Sequence, residues 1–222
     1  MTLDGTLVVI DTCVLLRPRL ADVLMDLRAE KLFSAHWTDD IDSEFVRNLR
    51  LVHGVEEPLV LRRLAAMKAR CPEWQLALSA ADFRAVPPQV DRKDRHVAAA
   101  ALALRRYSDG DVDTCLDPDV PRDVILLTDN ERDMAKSQMA ALGVRVLRPG
   151  AFLNELDSAA PQAVQRAVAR AQQDLKRPPY TLAELLHVLH QAGARAMVAR
   201  LEAAWGITRQ AKPRLPRKGG SR

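Results

Sequence analysis

Two apolar runs, far apart in the chain, restrict the fold more than any other feature. The first, LVVIDTCVLL, covers residues 7–16, and the second, DVILLTD, covers residues 123–129. Both are rich in branched aliphatic side chains, and runs of this kind are typical of parallel strands that are buried on both faces. Between them, apolar side chains recur at helical spacing, as in Ile41, Phe45 and Leu49. The alternation of strands and helices predicts an α/β fold with a central parallel sheet.

Capping residues and helical periodicity divide the rest of the chain into elements. Thr38 has the position of a helix N-cap, and Gly143 is placed to end a helix. Residues 32–37, LFSAHW, are ambiguous, whereas residues 107–123, rich in Asp, Gly and Pro, predict a loop. The predicted helices cover residues 21–30, 39–52, 58–70, 95–106, 130–142, 163–176 and 181–205, the last interrupted near Gly193, and a third strand covers residues 144–149.

Composition and charge divide the chain into three parts. We predict a domain over residues 1–153 that contains the sheet, a small helical appendage over residues 154–207, and a basic, disordered tail over residues 208–222. The tail holds six of the 33 basic residues and no acidic residue, which leaves 27 basic against 29 acidic residues elsewhere. The formal net charge of +4 therefore comes from the tail. Such a tail can bind a polyanion or simply keep the protein soluble.

Cysteine usage and hydropathy indicate a cytoplasmic protein that does not enter a membrane. The three cysteines are widely spaced and form no Cys-x-x-Cys motif, as expected of unpaired thiols in a reducing compartment. The sequence begins without a basic segment, and no apolar run approaches the roughly 18 residues of a membrane span. Aromatic residues make up only 4% of the chain, too few to suggest a base-stacking platform for single strands.

Asp11 interrupts the first apolar run, so its charge needs a compensating partner. A buried carboxylate is costly unless it pairs with a cation or ligates a metal. Ligands of open parallel sheets bind at the carboxyl ends of the strands, where the second run ends in Thr128 and Asn130. The other carboxylates at the start or end of apolar elements are Glu44, Asp94, Asp129 and Asp133.

These carboxylates are candidate ligands of a metal ion. Clustered carboxylates repel one another, and oxygen ligands select a hard cation such as Mg²⁺ or Mn²⁺. A site of this kind can activate water and hold a phosphodiester. Each acid also has a structural alternative: Asp11 could form a buried ion pair, Asp94 could cap a helix, and Glu44 could pair with Arg47 or Asn48. Asp129 or Asn130 could likewise cap the next helix.

Five motifs in order give the chain a resemblance to a known family. They are VVIDTCVLL, EFVRNL, DRKDRHVAAAAL, LLTDNERDM and RPGAFL, and they lie between Leu7 and Leu153. Together they resemble the PIN domain of VapC-type toxin ribonucleases, which belong to type II toxin–antitoxin systems. The segment from Asn154 onward resembles the C-terminal helical extension of one subgroup of these toxins. The resemblance implies a three-layer α/β/α fold, a Mg²⁺ or Mn²⁺ cofactor and specific site residues.

The site residues follow from the positions that match the motifs. Many PIN domains have an aspartate where this sequence has Asn130, and Met134 replaces an aromatic residue of the closest subgroup. The fourth acid is therefore assigned to Asp133. The resemblance implies catalytic and metal-binding roles for Asp11, Glu44, Asp94 and Asp133, with Asp129 as a further candidate ligand. Supporting roles fall to Thr12, Thr128 and Asn130, and candidate RNA contacts, otherwise solvated charges, are Arg17, Arg92, Lys93 and Arg95.

The expected activity is metal-dependent hydrolysis of RNA by a toxin that pairs with an antitoxin and forms a homodimer. A haloacid-dehalogenase-like phosphatase also has an aspartate after its first strand, but it needs a second one two residues later, where this chain has Cys13. The alternative is a PIN-like module that binds RNA and has lost its catalytic activity. Cleavage of RNA distinguishes the two.

Overall fold

A computed structural model describes residues 5–108, 122–175 and 179–211 of the chain. The described strands are β1 (Thr6–Ile10), β2 (Ser34–His36), β3 (Asp123–Leu127) and β4 (Val144–Leu147). The described helices are α1 (Thr12–Leu15), α2 (Pro18–Ala29), α3 (Asp39–Leu51), α4 (Glu57–Arg70), α5 (Ala80–Ala85), α6 (Arg95–Ser108), α7 (Lys136–Ala141), α8 (Pro149–Ala159), α9 (Pro161–Asp174), α10 (Leu182–Gln191) and α11 (Arg195–Trp205). Two 3₁₀ turns cover Arg92–Asp94 and Glu131–Met134.

The four strands form one parallel sheet in the order β2-β1-β3-β4. Helices cover the sheet in a three-layer α/β/α arrangement, and further helices follow at the C-terminus, so the predicted fold class is confirmed. Helix α6 packs across β1, β3 and β4. Its alanine-rich sequence suits this position, because small side chains let a helix approach a sheet closely while keeping a high helix propensity. Residues 97–104 of this helix are all buried.

Strand register decides which residues meet at the carboxyl edge of the sheet. Ile10 pairs with Leu127, and Leu127 pairs with Leu147. The next residues along these strands are therefore Asp11, Thr128 and Arg148. Asp11 N donates a hydrogen bond to Leu127 O at 3.0 Å, which continues the ladder by one step. The first and third strands thus deliver polar side chains to the same place.

The first apolar run is a strand only as far as Ile10, so the prediction of one strand over residues 7–16 is wrong in its second half. Asp11 O accepts hydrogen bonds from Val14 N and Leu15 N, which turns the chain into α1. A buried helix of four residues has no exposed face, and its sequence therefore lacks the polar positions that reveal a helix. Asp11 lies at the end of a strand and not within one.

Other elements differ from the sequence prediction or were left open by it, and α5 was not predicted. The ambiguous segment at residues 32–37 contains the edge strand β2. The helix predicted over residues 130–142 is a 3₁₀ turn followed by α7, because Ala135 adopts a left-handed conformation with φ of 46°. Helix α8 was not predicted, and the predicted boundary after residue 153 falls inside it. The loop predicted over residues 107–123 lies mostly outside the described residues, as does the tail from residue 212.

The C-terminal helices pack on the sheet-containing part through α2 and α8. Helix α9 lies along α2, and the guanidinium groups of Arg166 and Arg170 both bind Glu30 at 2.7 Å. Gly150 at the start of α8 touches the turn between α10 and α11. A Cβ atom on Gly150 would lie 2.3 Å from the carbonyl carbon of Gly193, so this contact requires glycine. The predicted interruption near Gly193 is confirmed.

The described helices include none that is both long and apolar enough to span a membrane.

Candidate metal and nuclease site

The carboxylate of Asp11 is held at the carboxyl edge of the sheet by two neighbouring donors. Thr128 Oγ1 donates to Asp11 Oδ2 at 2.6 Å, and Cys13 Sγ donates to the same oxygen at 3.1 Å. Asp11 is buried, with 6% of its surface exposed. None of the described hydrogen bonds or ion pairs joins Asp11 to an arginine or lysine, so the buried ion pair considered from the sequence does not form there.

Cys13 is part of this group, and sequence analysis gave it no role. Burial, followed by the charge of Asp11, raises the pKa of the Cys13 thiol from 9.0 to about 12. The residue therefore stays protonated at neutral pH and acts as a hydrogen-bond donor to the carboxylate. Its sulfur also accepts a hydrogen bond from Asp129 N at 3.3 Å, which ties α1 to the residues after β3.

A second group forms around Asn130. The Asn130 amide donates to Asp94 Oδ2 at 2.9 Å and to Asp133 Oδ2 at 2.8 Å. Asn130 N in turn donates to Thr128 Oγ1 at 2.9 Å, which links this group to Asp11. The asparagine at the position where many PIN domains have an acid thus bridges two carboxylates. The structure brings Asp94 and Asp133 to the same amide group.

The electrostatics of Asp94 show that the acids are close. The pKa of Asp94 is raised from 3.8 to about 6, mainly by desolvation; Lys93 opposes the rise, and the charges of Asp11, Asp133 and Asp91 add to it. The pKa of Asp133 is lowered, because Asn130 and Lys93 donate hydrogen bonds to its charged form. One acid of the pair is therefore stabilised as a carboxylate, whereas the other resists ionisation.

Glu44 lies in a third group with Thr12 and His96. Thr12 Oγ1 donates to Glu44 Oε2 at 2.9 Å, and His96 Nε2 lies 3.3 Å from the same oxygen. Asn48 binds the Glu44 backbone oxygen and not the carboxylate, and no ion pair of the described residues joins Glu44 to Arg47. His96 was missed by sequence reasoning, although it stands two residues after Asp94 at the start of the alanine-rich helix.

Asp129 is paired with an arginine. Both of its oxygens accept hydrogen bonds from Arg17 Nη1, at 3.2 and 3.0 Å. Two of the candidate RNA contacts are thus already engaged within the protein: Arg17 binds Asp129, and Arg95 binds the backbone oxygens of Phe83, Val86 and Pro87. Arg92 is exposed, and Lys93 contacts Asp133.

The donor atoms suit a hard cation, but they are not gathered into a finished metal site. Asp11, Asp94, Asp133 and Glu44 offer carboxylate oxygens, which Mg²⁺ and Mn²⁺ prefer. Among the described residues, no group of three or more His, Cys, Asp or Glu side chains is arranged so that it could hold a metal ion. The raised pKa of Asp94 is the feature that fits a metal best, because a cation would offset the desolvation, and the repulsion among the acids, that raise it.

Fold and site together define a parallel α/β protein with an acidic group at the carboxyl edge of its sheet. Comparison with protein families adds one match: residues 149–203 match the family described as the VapC50 C-terminal domain. This segment begins at α8 and ends within α11, so the helical part of the chain is similar to a domain of a VapC protein. No curated protein and no solved structure matches the chain.

Proposed function

We propose that this protein is a metal-dependent endoribonuclease, the toxin of a type II toxin–antitoxin pair. The observation that carries the proposal is the chain of hydrogen bonds that links Asp94 and Asp133, through Asn130 and Thr128, to Asp11 at the carboxyl edge of the sheet. Desolvation raises the pKa of Asp94, and the charges of Asp11 and Asp133 add to that rise. The similarity of residues 149–203 to the VapC50 C-terminal domain supports the toxin assignment. The five motifs of the sheet-containing part support the nuclease assignment.

In the proposed site, some residues would bind the metal and others would hold those ligands in position. Asp11, Asp94 and Asp133 would hold Mg²⁺ or Mn²⁺, with Glu44 completing or orienting the set. A bound divalent cation lowers the pKa of its water and neutralises charge on a phosphodiester. Thr128 and Cys13 keep the Asp11 carboxylate in one orientation through their hydrogen bonds. Asn130 fixes the separation of Asp94 and Asp133 by binding both.

The supporting residue Thr12 connects Glu44 to the strand end. Its hydroxyl donates to Glu44, and it follows Asp11 directly in the chain. Glu44 also has His96 beside it, so its carboxylate has two neighbours that hold it in place. Among the described residues, Arg92 is the predicted RNA contact whose side chain is exposed and makes no hydrogen bond or ion pair. It precedes Lys93 and Asp94 in the chain, next to the acidic edge, by which we mean Asp11, Asp94 and Asp133 at the carboxyl edge of the sheet.

The proposal includes partners and a cellular location. The RNA substrate, a cognate antitoxin and a second copy of the chain follow from the resemblance to VapC-type toxins. An antitoxin is needed because unrestrained cleavage of RNA would harm the cell that makes it. The cytoplasm is the compartment in which such a pair and its RNA substrate meet.

The test is cleavage of a mixed cellular RNA pool by the purified full chain. We expect cleavage with Mg²⁺ or Mn²⁺, none with EDTA, and a loss of at least about a hundredfold in Asp11→Asn, because that change removes a charged ligand. Asp123→Asn is the matched control. Asp123 is the first residue of β3, at the opposite edge of the sheet from Thr128, so this variant should cut like the wild type.

Equal cleavage by the wild type and Asp11→Asn would point to a contaminating nuclease and refute the site. Cleavage that persists in EDTA would refute the role of the metal. A protein that is folded, binds Mn²⁺ and leaves every RNA intact would refute the enzymatic assignment.

A second candidate is a PIN-like module that binds RNA without cutting it. It is favoured by one observation, that the described part of the chain holds no ready-made group of three or more metal-binding side chains. This candidate predicts RNA binding that is insensitive to EDTA and to Asp11→Asn. Filter binding under the conditions of the cleavage assay separates the two candidates.

A further inference from the structure

The ammonium group of Lys93 lies at the acidic edge, against an oxygen that the proposed cation needs. Lys93 Nζ is 3.1 Å from Asp133 Oδ2. The same oxygen accepts a hydrogen bond from Asn130 at 2.8 Å. Asp133 is therefore satisfied without a metal, by one positive charge and one amide.

Backbone contacts, and not only a side-chain rotamer, bring Lys93 to this position. Asp91 Oδ1 accepts a hydrogen bond from Lys93 N at 3.0 Å, which starts the 3₁₀ turn at Arg92–Asp94. Asp91 N donates to Asp133 O at 2.9 Å and joins this turn to the one at Glu131–Met134. The two turns are thus held side by side, so that position 93 faces Asp133.

The side chain of Lys93 can move away from Asp133 into water. It is 64% exposed, against 33% for Asp133, so moving the ammonium into water breaks one exposed ion pair and little packing. Exposed ion pairs of this kind are weak. An ammonium at hydrogen-bond distance and a divalent cation on the same oxygen would repel each other strongly.

We propose that Lys93 is an internal counter-ion of the acidic edge, which competes with the divalent cation for Asp133 and is displaced when the cation binds. This inference deepens the proposed function and rests on it for the identity of the cation. Lys93 compensates charge while the site is free of metal, so the acids can be close together before a cation arrives. The same contact lowers the affinity of the site for the metal.

The test is Mn²⁺ binding to the full chain, measured by calorimetry for the wild type, Lys93→Met and Lys136→Met. Methionine keeps most of the length of lysine and removes its charge. Lys136 is the matched control, because it is 55% exposed and pairs with Glu131 at 3.2 Å, on the turn beside the predicted ligands. We expect Lys93→Met to bind Mn²⁺ about three- to tenfold more tightly than the wild type, and Lys136→Met to differ from it by less than about twofold.

A second readout needs no metal. In EDTA, Lys93→Met should unfold at a lower temperature than Lys136→Met, because it leaves the acids without their counter-ion, and saturating Mn²⁺ should remove most of that difference. Lys93→Arg, which keeps the charge, should restore the stability of the metal-free protein.

The outcomes distinguish this inference from the proposed function. Equal or weaker Mn²⁺ binding by Lys93→Met, or an equal gain in Lys136→Met, would overturn the competition while leaving a metal-dependent nuclease intact. A wild type and variants that all fail to bind millimolar Mn²⁺ would refute both. Tighter binding by Lys93→Met in a protein that cuts no RNA would support the competition and refute the nuclease.

Discussion

The acids of the site differ in how readily they carry charge, and the pKa of Asp94 lies well above its ordinary value. Its pKa of about 6 means that the folded protein holds a proton there more tightly than the unfolded chain does. Above pH 6 the ionised carboxylate therefore costs stability, and below about pH 4 both states are protonated and the cost vanishes. A bound cation would offset part of this cost.

Replacing Asp94 by asparagine should stabilise the metal-free protein at pH 8. Asparagine keeps an oxygen for the Asn130 amide and removes the charge that Asp11 and Asp133 repel. We expect a gain on the order of 1 kcal/mol, reduced from the full pKa shift because the side chain is partly exposed to solvent. Urea unfolding in EDTA at pH 8 and pH 4 measures it, and the gain should disappear at pH 4.

Asp22→Asn serves as the comparison for this effect, since Asp22 pairs with Arg19 at 3.2 Å outside the acidic edge. If Asp94→Asn were less stable than the wild type at pH 8, the conclusion that the charge of Asp94 costs stability would be contradicted. Saturating Mn²⁺ should reverse the order, because the wild type would then gain binding energy that Asp94→Asn lacks.

At the scale of elements, the sequence predicted most helices well because one face of each helix is apolar and the opposite face is polar. Helix α3 begins after Thr38, whose side chain accepts a hydrogen bond from Ile41 N, and Ile41 and Phe45 are buried as their spacing predicted. Elements that are buried all round, such as α1, or very short, such as β2, carry no such contrast. Their sequences fit more than one structure, and only tertiary contacts decide between them.

The acids of the site could be predicted one by one, but their partners could not. Asp11 and Asp94 stand at recognisable ends of elements, so a sequence places them at the edge of the sheet. The contacts of Glu44 with His96, and of Asp133 with Lys93, depend on how separate elements pack. Side-chain pairing across such distances in sequence has no local signature.

The joint between the 3₁₀ turn at Glu131–Met134 and α7 holds a strained residue, Ala135, with φ of 46°. The left-handed conformation costs a residue with a Cβ atom about 1 kcal/mol. Ala135→Gly should therefore raise the free energy of unfolding by about 0.5 kcal/mol, after the larger entropy of glycine in the unfolded chain is subtracted. Urea unfolding at neutral pH measures the change.

An alanine-to-glycine substitution within a helix should have the opposite effect on the free energy of unfolding. Ala140 is exposed within α7, and Ala140→Gly should lower the free energy of unfolding by about 0.5–1 kcal/mol. Similar losses at both positions would show that Ala135 is not strained in solution.

At the scale of the whole molecule, α8 is fixed against the turn between α10 and α11 by a contact between backbones. Gly150→Ala would place a methyl group 2.3 Å from Gly193 and 2.4 Å from Ala192 O. These are backbone atoms, which cannot rotate aside as a side chain can. We expect a loss of about 2–3 kcal/mol in the free energy of unfolding, measured by urea unfolding of the full chain.

Ala151→Ser provides the comparison, because Ala151 is the exposed neighbour of Gly150 on the same helix. That variant should stay within about 0.5 kcal/mol of the wild type. A Gly150→Ala variant of unchanged stability would mean that the turn between α10 and α11 does not contact α8 in solution.

The parallel pairing of β1 with β3 has a consequence for the newly made protein. Asp11 and Glu44 leave the ribosome early, yet β3, one of the two strands beside β1, ends at Leu127, and Asp133 follows it. At roughly 5–20 residues per second, the interval between the first acid and the last is on the order of ten seconds. A chain that cuts RNA only when its acids meet would therefore be harmless to its own messenger for most of its translation.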